Sequence, residues 1–157
     1  MREILFRGKQ VDKGEWVEGY VFEMHILGDK TTYISTKPFM LCNDGDFDYE
    51  PFAVDTETVG QYTGLTDKNG TKIFEGDIVK IAYYFGWDDE QEKNVPEEEY
   101  ISKVYSIDGC PFCVDLLHCD GDMSPIAWLD WSYDDAEIEV IGNIHDNPEL
   151  LKECEGK

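Results

Sequence analysis

The chain has 157 residues, 41% of them hydrophobic, with 13 basic against 35 acidic side chains and a formal net charge of −22. That length supplies one good core, or two small lobes sharing one, and apolar runs of only a few residues exclude a membrane-spanning helix. The charge repels nucleic-acid phosphates and anionic membranes, whose binding relies on clustered Lys and Arg, so neither is expected as a direct partner.

Read from the start, "MREILFRGKQ" has charge on both sides of a short apolar stretch and no small-residue cleavage site. No signal peptide is expected, and a cytoplasmic location is the default. "REILFRG" alternates as a strand does. "GEWVEGYVFEMHI" sets Trp16, Gly19, Val21 and Glu23 against Val17, Tyr20 and Phe22, with a phase slip near Gly19 of the kind a bulge or bend produces. "TTYISTKPF" is rich in β-branched and aromatic residues and stops near Pro38. "LCNDGDFDYEP" reads as an acidic turn region.

"ETVGQYTGL" predicts a strand, and Asn69-Gly70 after it is a strong hairpin turn, because both residues accept positive φ. Gly64 is likewise placed at a turn. "EGD" is a second turn, and "IVKIAYYF" a strand entering the core. Residues 87–99 form a charged, acidic loop without an apolar face, expected to be mobile. "YISKVYSI" and "CPFCVDLL" resume the β pattern, as does "IAWLDWSYDDAEIEVIGNI". The end, "HDNPELLKECEGK", predicts a helix of about two turns. Asn147 would cap it, Pro148 would open it, and Leu150, Leu151 and Cys154 would share a face.

"QYTGLTDKNGTKIFEGDIVK" and the later "VIGNIHDNPELL", with the opening "REILFRG", resemble the YopX family of phage and prophage proteins over essentially the whole chain. The resemblance implies an SH3-like β-barrel fold and a bacterial host cell. It carries no established activity, and no catalytic or ligand residue comes with its motif.

Each chemical candidate competes with a structural reading. Cys110 and Cys113 form a Cys-x-x-Cys, but redox chemistry needs the first thiol at a helix N-terminus, and the surroundings read as strand. With His118 and Cys119 they make a weak zinc set, because adjacent residues of a strand point to opposite faces. Five cysteines without an export signal read as free thiols rather than disulfides, and the sequon at Asn69 as a turn. Asp44, Asp46 and Asp48 alternate like calcium ligands but lack the Gly and Glu of an EF-hand loop. Glu75 and Asp77 are a conceivable acid/base pair with no His beside them; His25, His118 and His145 lie far apart. Tyr83, Tyr84, Phe85, Trp87, Trp128 and Trp131 would make a stacking platform only against the charge.

The sequence therefore reads as mainly β, a small SH3-like β-barrel architecture with a short C-terminal helix. It forms a single domain over 1–157, whole or as two lobes, about 1–60 and 61–157, sharing a core. No catalytic residue and no cofactor is assigned. The expected role is a non-enzymatic module that binds an unidentified host or phage protein, with self-association through strand edges as a further expectation. Two alternatives stand beside it. One is an acidic DNA-mimic decoy of a host DNA-binding protein. The other is a small metal- or thiol-dependent enzyme built on Cys110 and Cys113.

Overall fold

β-branched and aromatic residues recur in short runs cut by glycine-containing turns, and such runs bury their apolar side most readily as antiparallel strands. The computed structural model describes residues 4–26, 28–37, 51–83, 86–88, 93–95, 98–107, 110–115, 123–125 and 136–152. The chain divides into two units, Met1–Gly64 and Leu65–Lys157.

The first unit is a curled antiparallel sheet. Its strands are β1 (Phe6–Lys9), β2 (Trp16–Ile26), β3 (Asp29–Ser35), β4 (Phe52–Val54) and β5 (Gly60–Thr66), in the order β4-β3-β2-β1-β5. A 3-10 turn, Thr56–Thr58, joins the last two. Val17, Ile34 and Val54 form the core, with Phe6, Val21, Phe52 and Val59 packed against it. The curl brings β4 back to the end of β1. Gln10 bridges Val54, the Val11 amide donates to Ala53 O at 3.0 Å, and the Asp55 amide donates to Lys9 O at 2.9 Å.

β2 runs through all eleven residues with no register shift in either ladder. The phase slip expected near Gly19 is thus corrected. Gly19 marks a change of neighbour, the strand pairing β1 up to Gly19 and β3 from Tyr20 onward. A Cβ there would stand 2.0 Å from the Ser35 carbonyl oxygen, so a close backbone approach, not a bulge, requires the glycine. Trp16 consequently lies opposite in parity to Gly19 and Val21.

In the second unit, β5 ends beside β6 (Lys72–Phe74). β7 (Asp77–Tyr83) lies between β10 (Glu98–Lys103) and β14 (Ala136–Asn143). β11 (Tyr105–Ile107), β12 (Cys110–Asp115) and β13 (Met123–Pro125) make a second small sheet. Ile73, Val79, Ile81, Val104 and Val114 build the core of this unit, Leu65, Tyr100, Ile138 and Val140 packing around them.

Three further expectations meet the structure here. Within residues 87–99, expected to be loop, β8 (Gly86–Asp88) pairs with β9 (Lys93–Val95), and β10 begins at Glu98. The pairing is a ladder of backbone hydrogen bonds, and a short run of charged residues leaves no apolar period in the sequence to announce it. The C-terminal helix α1 is observed over Glu149–Lys152, directly after Pro148, up to the end of the described residues. The mainly β, antiparallel class is observed with that short helix. The ladders of the described residues do not close into a barrel, because the return of β4 to Gln10 is one bridge. No helix among the described residues is long and apolar enough to cross a membrane.

Candidate functional site

The glycine- and carboxylate-rich stretch from Gln61 to Ile81 is a candidate for chemistry until its carboxylates are followed to their partners. Asp67, 6% exposed, accepts from the amides of Asn69 and Thr71 through Oδ1, both at 2.8 Å, and from the Val140 amide through Oδ2 at 3.1 Å. Burial pushes its carboxyl up. The donors from Val140, Thr71 and Asn69 outweigh that and hold it below the ordinary carboxylate range. The Asp67 amide also donates to Thr71 O, so the turn spans 67–71, with Gly70 at φ 82°. The sequence credited Asn69-Gly70 alone. Gly64, expected at a turn, lies inside β5 at φ 87°.

The same turn holds β14. The Lys68 amide donates to Ile138 O at 2.9 Å, and its ammonium reaches Glu139 at 2.9 Å and Glu137 at 3.5 Å. The hydrogen bond to Glu139 raises the Lys68 pKa above its ordinary value. Asp77, 1% exposed, accepts from the Phe74 amide at 2.7 Å, while Ser106 Oγ donates to Glu75 at 2.6 Å. The Ile144 amide donates to Gly76 O, and Asn143 Oδ1 caps the amides of His145 and Asp146 at 2.9 Å. Two stretches about sixty residues apart are therefore one hydrogen-bonded knot. Asp67 and Asn143 are its organisers, and the local signal for both was the Asx turn, in which a side-chain oxygen serves amides two or three residues ahead.

The remaining candidates fall partly within the described residues and partly outside them. Cys110 and Cys113 lie on β12, opposite Ile107 and Tyr105, with a register shift between. This is extended backbone, not the start of a helix. His118, Cys119, Asp44, Asp46 and Asp48 lie outside the described residues, as do Tyr84, Phe85, Trp128, Trp131, Cys42 and Cys154. Tyr83 ends β7 and Trp87 lies in β8. His25 and His145 are exposed, one in each unit. Among the described residues, acids in each unit pair with lysines. Glu23 pairs with Lys30 at 2.7 Å, and Glu99 with Lys80 at 2.7 Å.

One feature of the first unit escaped the sequence reading because of the misjudged phase at Gly19. On the face of the sheet opposite the core, the two-residue period of β2 aligns Trp16, Tyr20 and Phe22. Tyr33 of β3 is the cross-strand partner of Phe22, their rings stacked at 5.7 Å and 17°. Arg7 Cζ lies 4.7 Å from the Trp16 ring centroid, and Lys9 Nζ 5.9 Å. Tyr20 is 36% exposed and the other three rings are half-buried.

A family model described as YopX protein matches residues 5–152. The SPbeta prophage-derived uncharacterized protein YopX of Bacillus subtilis (strain 168) is 32% identical over 83 residues, 53% of this chain and 52% of that one. The match thus spans about half the length of that relative. The crystal structure of protein EF1440 from Enterococcus faecalis is similar at 25% identity and a TM-score of 0.45, covering 96% of this chain and 99% of that one.

Proposed function

This chain belongs to the YopX family, and from that premise we propose that it is a phage or prophage accessory protein that acts in the bacterial cytoplasm by binding another protein, without chemistry of its own. The observation that carries this reading is the row of Trp16, Tyr20, Phe22 and Tyr33 with Arg7 beside it. Aromatic rings and Arg are the side chains that dominate binding energy when a partner desolvates them. The knot supports the same reading, because Asp67, Asp77 and Glu75 already spend their oxygens on backbone amides and Ser106. A net charge of −22 makes a basic protein the fitting partner, drawn in by long-range attraction. The curled sheet of the first unit is read as the SH3-like element of the fold, with the Gln10–Val54 bridge as its support.

The test is capture from bacterial lysate with the wild-type chain and with Trp16→Ala/Tyr20→Ala, at low and high salt. Basic proteins retained by the wild type, shed in high salt and lost with the double variant are the expected result. Retention of the same proteins by the variant overturns the assignment. So does a wild type that retains none, or that retains only a second copy of itself.

A further inference from the structure

Asn69 is the one asparagine of this chain that precedes a glycine. In such a pair the glycine amide nitrogen can attack the asparagine side-chain carbonyl carbon, because no Cβ stands in its way. Asn69 and Gly70 are both exposed, and a Cβ built on Gly70 would meet nothing within 4 Å. Packing therefore does not shield the pair; hydrogen bonding does. The Gly70 amide donates to Asp67 O at 2.9 Å, and the amides on either side of it, Asn69 and Thr71, both donate to Asp67 Oδ1 at 2.8 Å. Beyond the turn, Asp67 Oδ2 accepts from the Val140 amide, and the Lys68 amide donates to Ile138 O.

The attack requires the Gly70 nitrogen to lose its proton, and in the closed turn that proton is directed at Asp67 O. Once the turn opens, a base takes the proton and the nitrogen bonds to Asn69 Cγ. The side-chain NH2 leaves with a returned proton as ammonia, and water opens the resulting cyclic imide at either carbonyl. One route gives ordinary aspartate. The other gives isoaspartate, in which the chain runs through the former side chain and gains a methylene carbon. Nothing is oxidised or reduced, and water is the only co-reactant. The extra backbone carbon falls between the Asn69 and Thr71 amides, so it moves apart two donors that now share one oxygen. Either product also adds a negative charge two residues from Asp67, in a chain already at −22.

We infer that Asn69-Gly70 is a site of spontaneous deamidation gated by the Asp67 knot. Closed, the turn protects the pair; open, it reacts, and the isoaspartate product no longer fits the closed turn. Asp67 is a positioning residue in this, acting through the backbone it holds. The same proton must leave the Gly70 nitrogen in deamidation and in hydrogen exchange, so one opening governs both. The modification is thus a one-way record of how often the link between the 67–71 turn and β14 breaks. It is independent of the aromatic face and stands or falls separately from the protein-binding reading.

The test incubates the full chain at neutral pH, native and unfolded in guanidinium chloride, and follows the exchange of NH2 for OH by peptide mass spectrometry. Native Asn69 should deamidate at least about tenfold more slowly than unfolded, since opening breaks several hydrogen bonds together. Amide hydrogen exchange at Gly70 should be slowed by the same factor to within about threefold. Asp67→Ala should speed native deamidation by about fivefold or more, and Asn69→Gln should abolish it at this peptide. The isoaspartate form, separated by its added charge, should melt below the unmodified chain. Equal rates in the native and unfolded chains overturn the inference. So does a folded Asp67→Ala with an unchanged rate, or an isoaspartate form that melts with the wild type. If Asp67→Ala does not fold, the wild type decides alone: exchange and deamidation slowed by factors more than about tenfold apart overturn the shared gate.

Discussion

Among the described polar residues of the second unit Asp67 has large leverage, because one carboxylate ties the 67–71 turn to β14 through three amides. Asp67→Asn leaves at least one of those amides facing an NH2 group, and is expected to cost about 1–3 kcal/mol in denaturant unfolding at neutral pH. Its pKa is lower folded than unfolded. The carboxylate therefore contributes stability that is full above the ordinary value of about 4 and is lost as pH falls through the depressed folded value. Unfolding midpoints between about pH 5 and pH 2 should fall less steeply for Asp67→Asn than for the wild type. An equal slope would show that another carboxylate carries the acid sensitivity. At Gly19 the deciding quantity is distance. An Ala Cβ 2.0 Å from Ser35 O meets backbone, which has no rotamer to turn away, so Gly19→Ala should destabilise the first unit by about 2–3 kcal/mol or more.

Among elements, β7 has the strongest claim on stability. It is the central strand between β10 and β14, with Ile78, Val79 and Ile81 all at 0% exposure. Ile81→Ala should cost about 2–5 kcal/mol, read as a lower denaturant midpoint, since a closely packed site collapses only partly. Lys80 of the same strand pairs with Glu99 at 2.7 Å, but both side chains are more than a third exposed. A double-mutant cycle on that pair should return no more than about 1 kcal/mol. β2 shows how an element can be recognised while its faces are misassigned. Its length was plain from the Val, Tyr, Phe and Trp content, yet the glycine invited a bulge, and a one-residue error in phase moves every side chain to the other face. The aromatic row was missed for that reason alone. The pairing within 87–99 was missed because a hairpin of charged residues leaves no apolar period to detect.

At the scale of the molecule, a net charge of −22 sets the balance between self-repulsion and solubility. Raising ionic strength from about 0.01 to 0.15 M shortens the screening length from about 30 to 8 Å, so the melting temperature should rise over that range. A melting temperature that falls instead would show that the paired Lys–Glu contacts outweigh the repulsion. By itself the sequence determined the β class, the turns at Gly70 and Gly76, the core strand from Ile78 and the family. These follow from residue period, from the φ that glycine permits and from a long motif, all of them local properties. Only the tertiary structure decided that Asp67 serves Val140, that Gly76 serves Ile144, that Gly19 lies under Ser35, and that Gln10 comes to rest beside Val54. Each of these joins residues separated by at least sixteen positions. Which distant amide a carboxylate reaches is fixed by how strands stack and curl, and no local spacing records that.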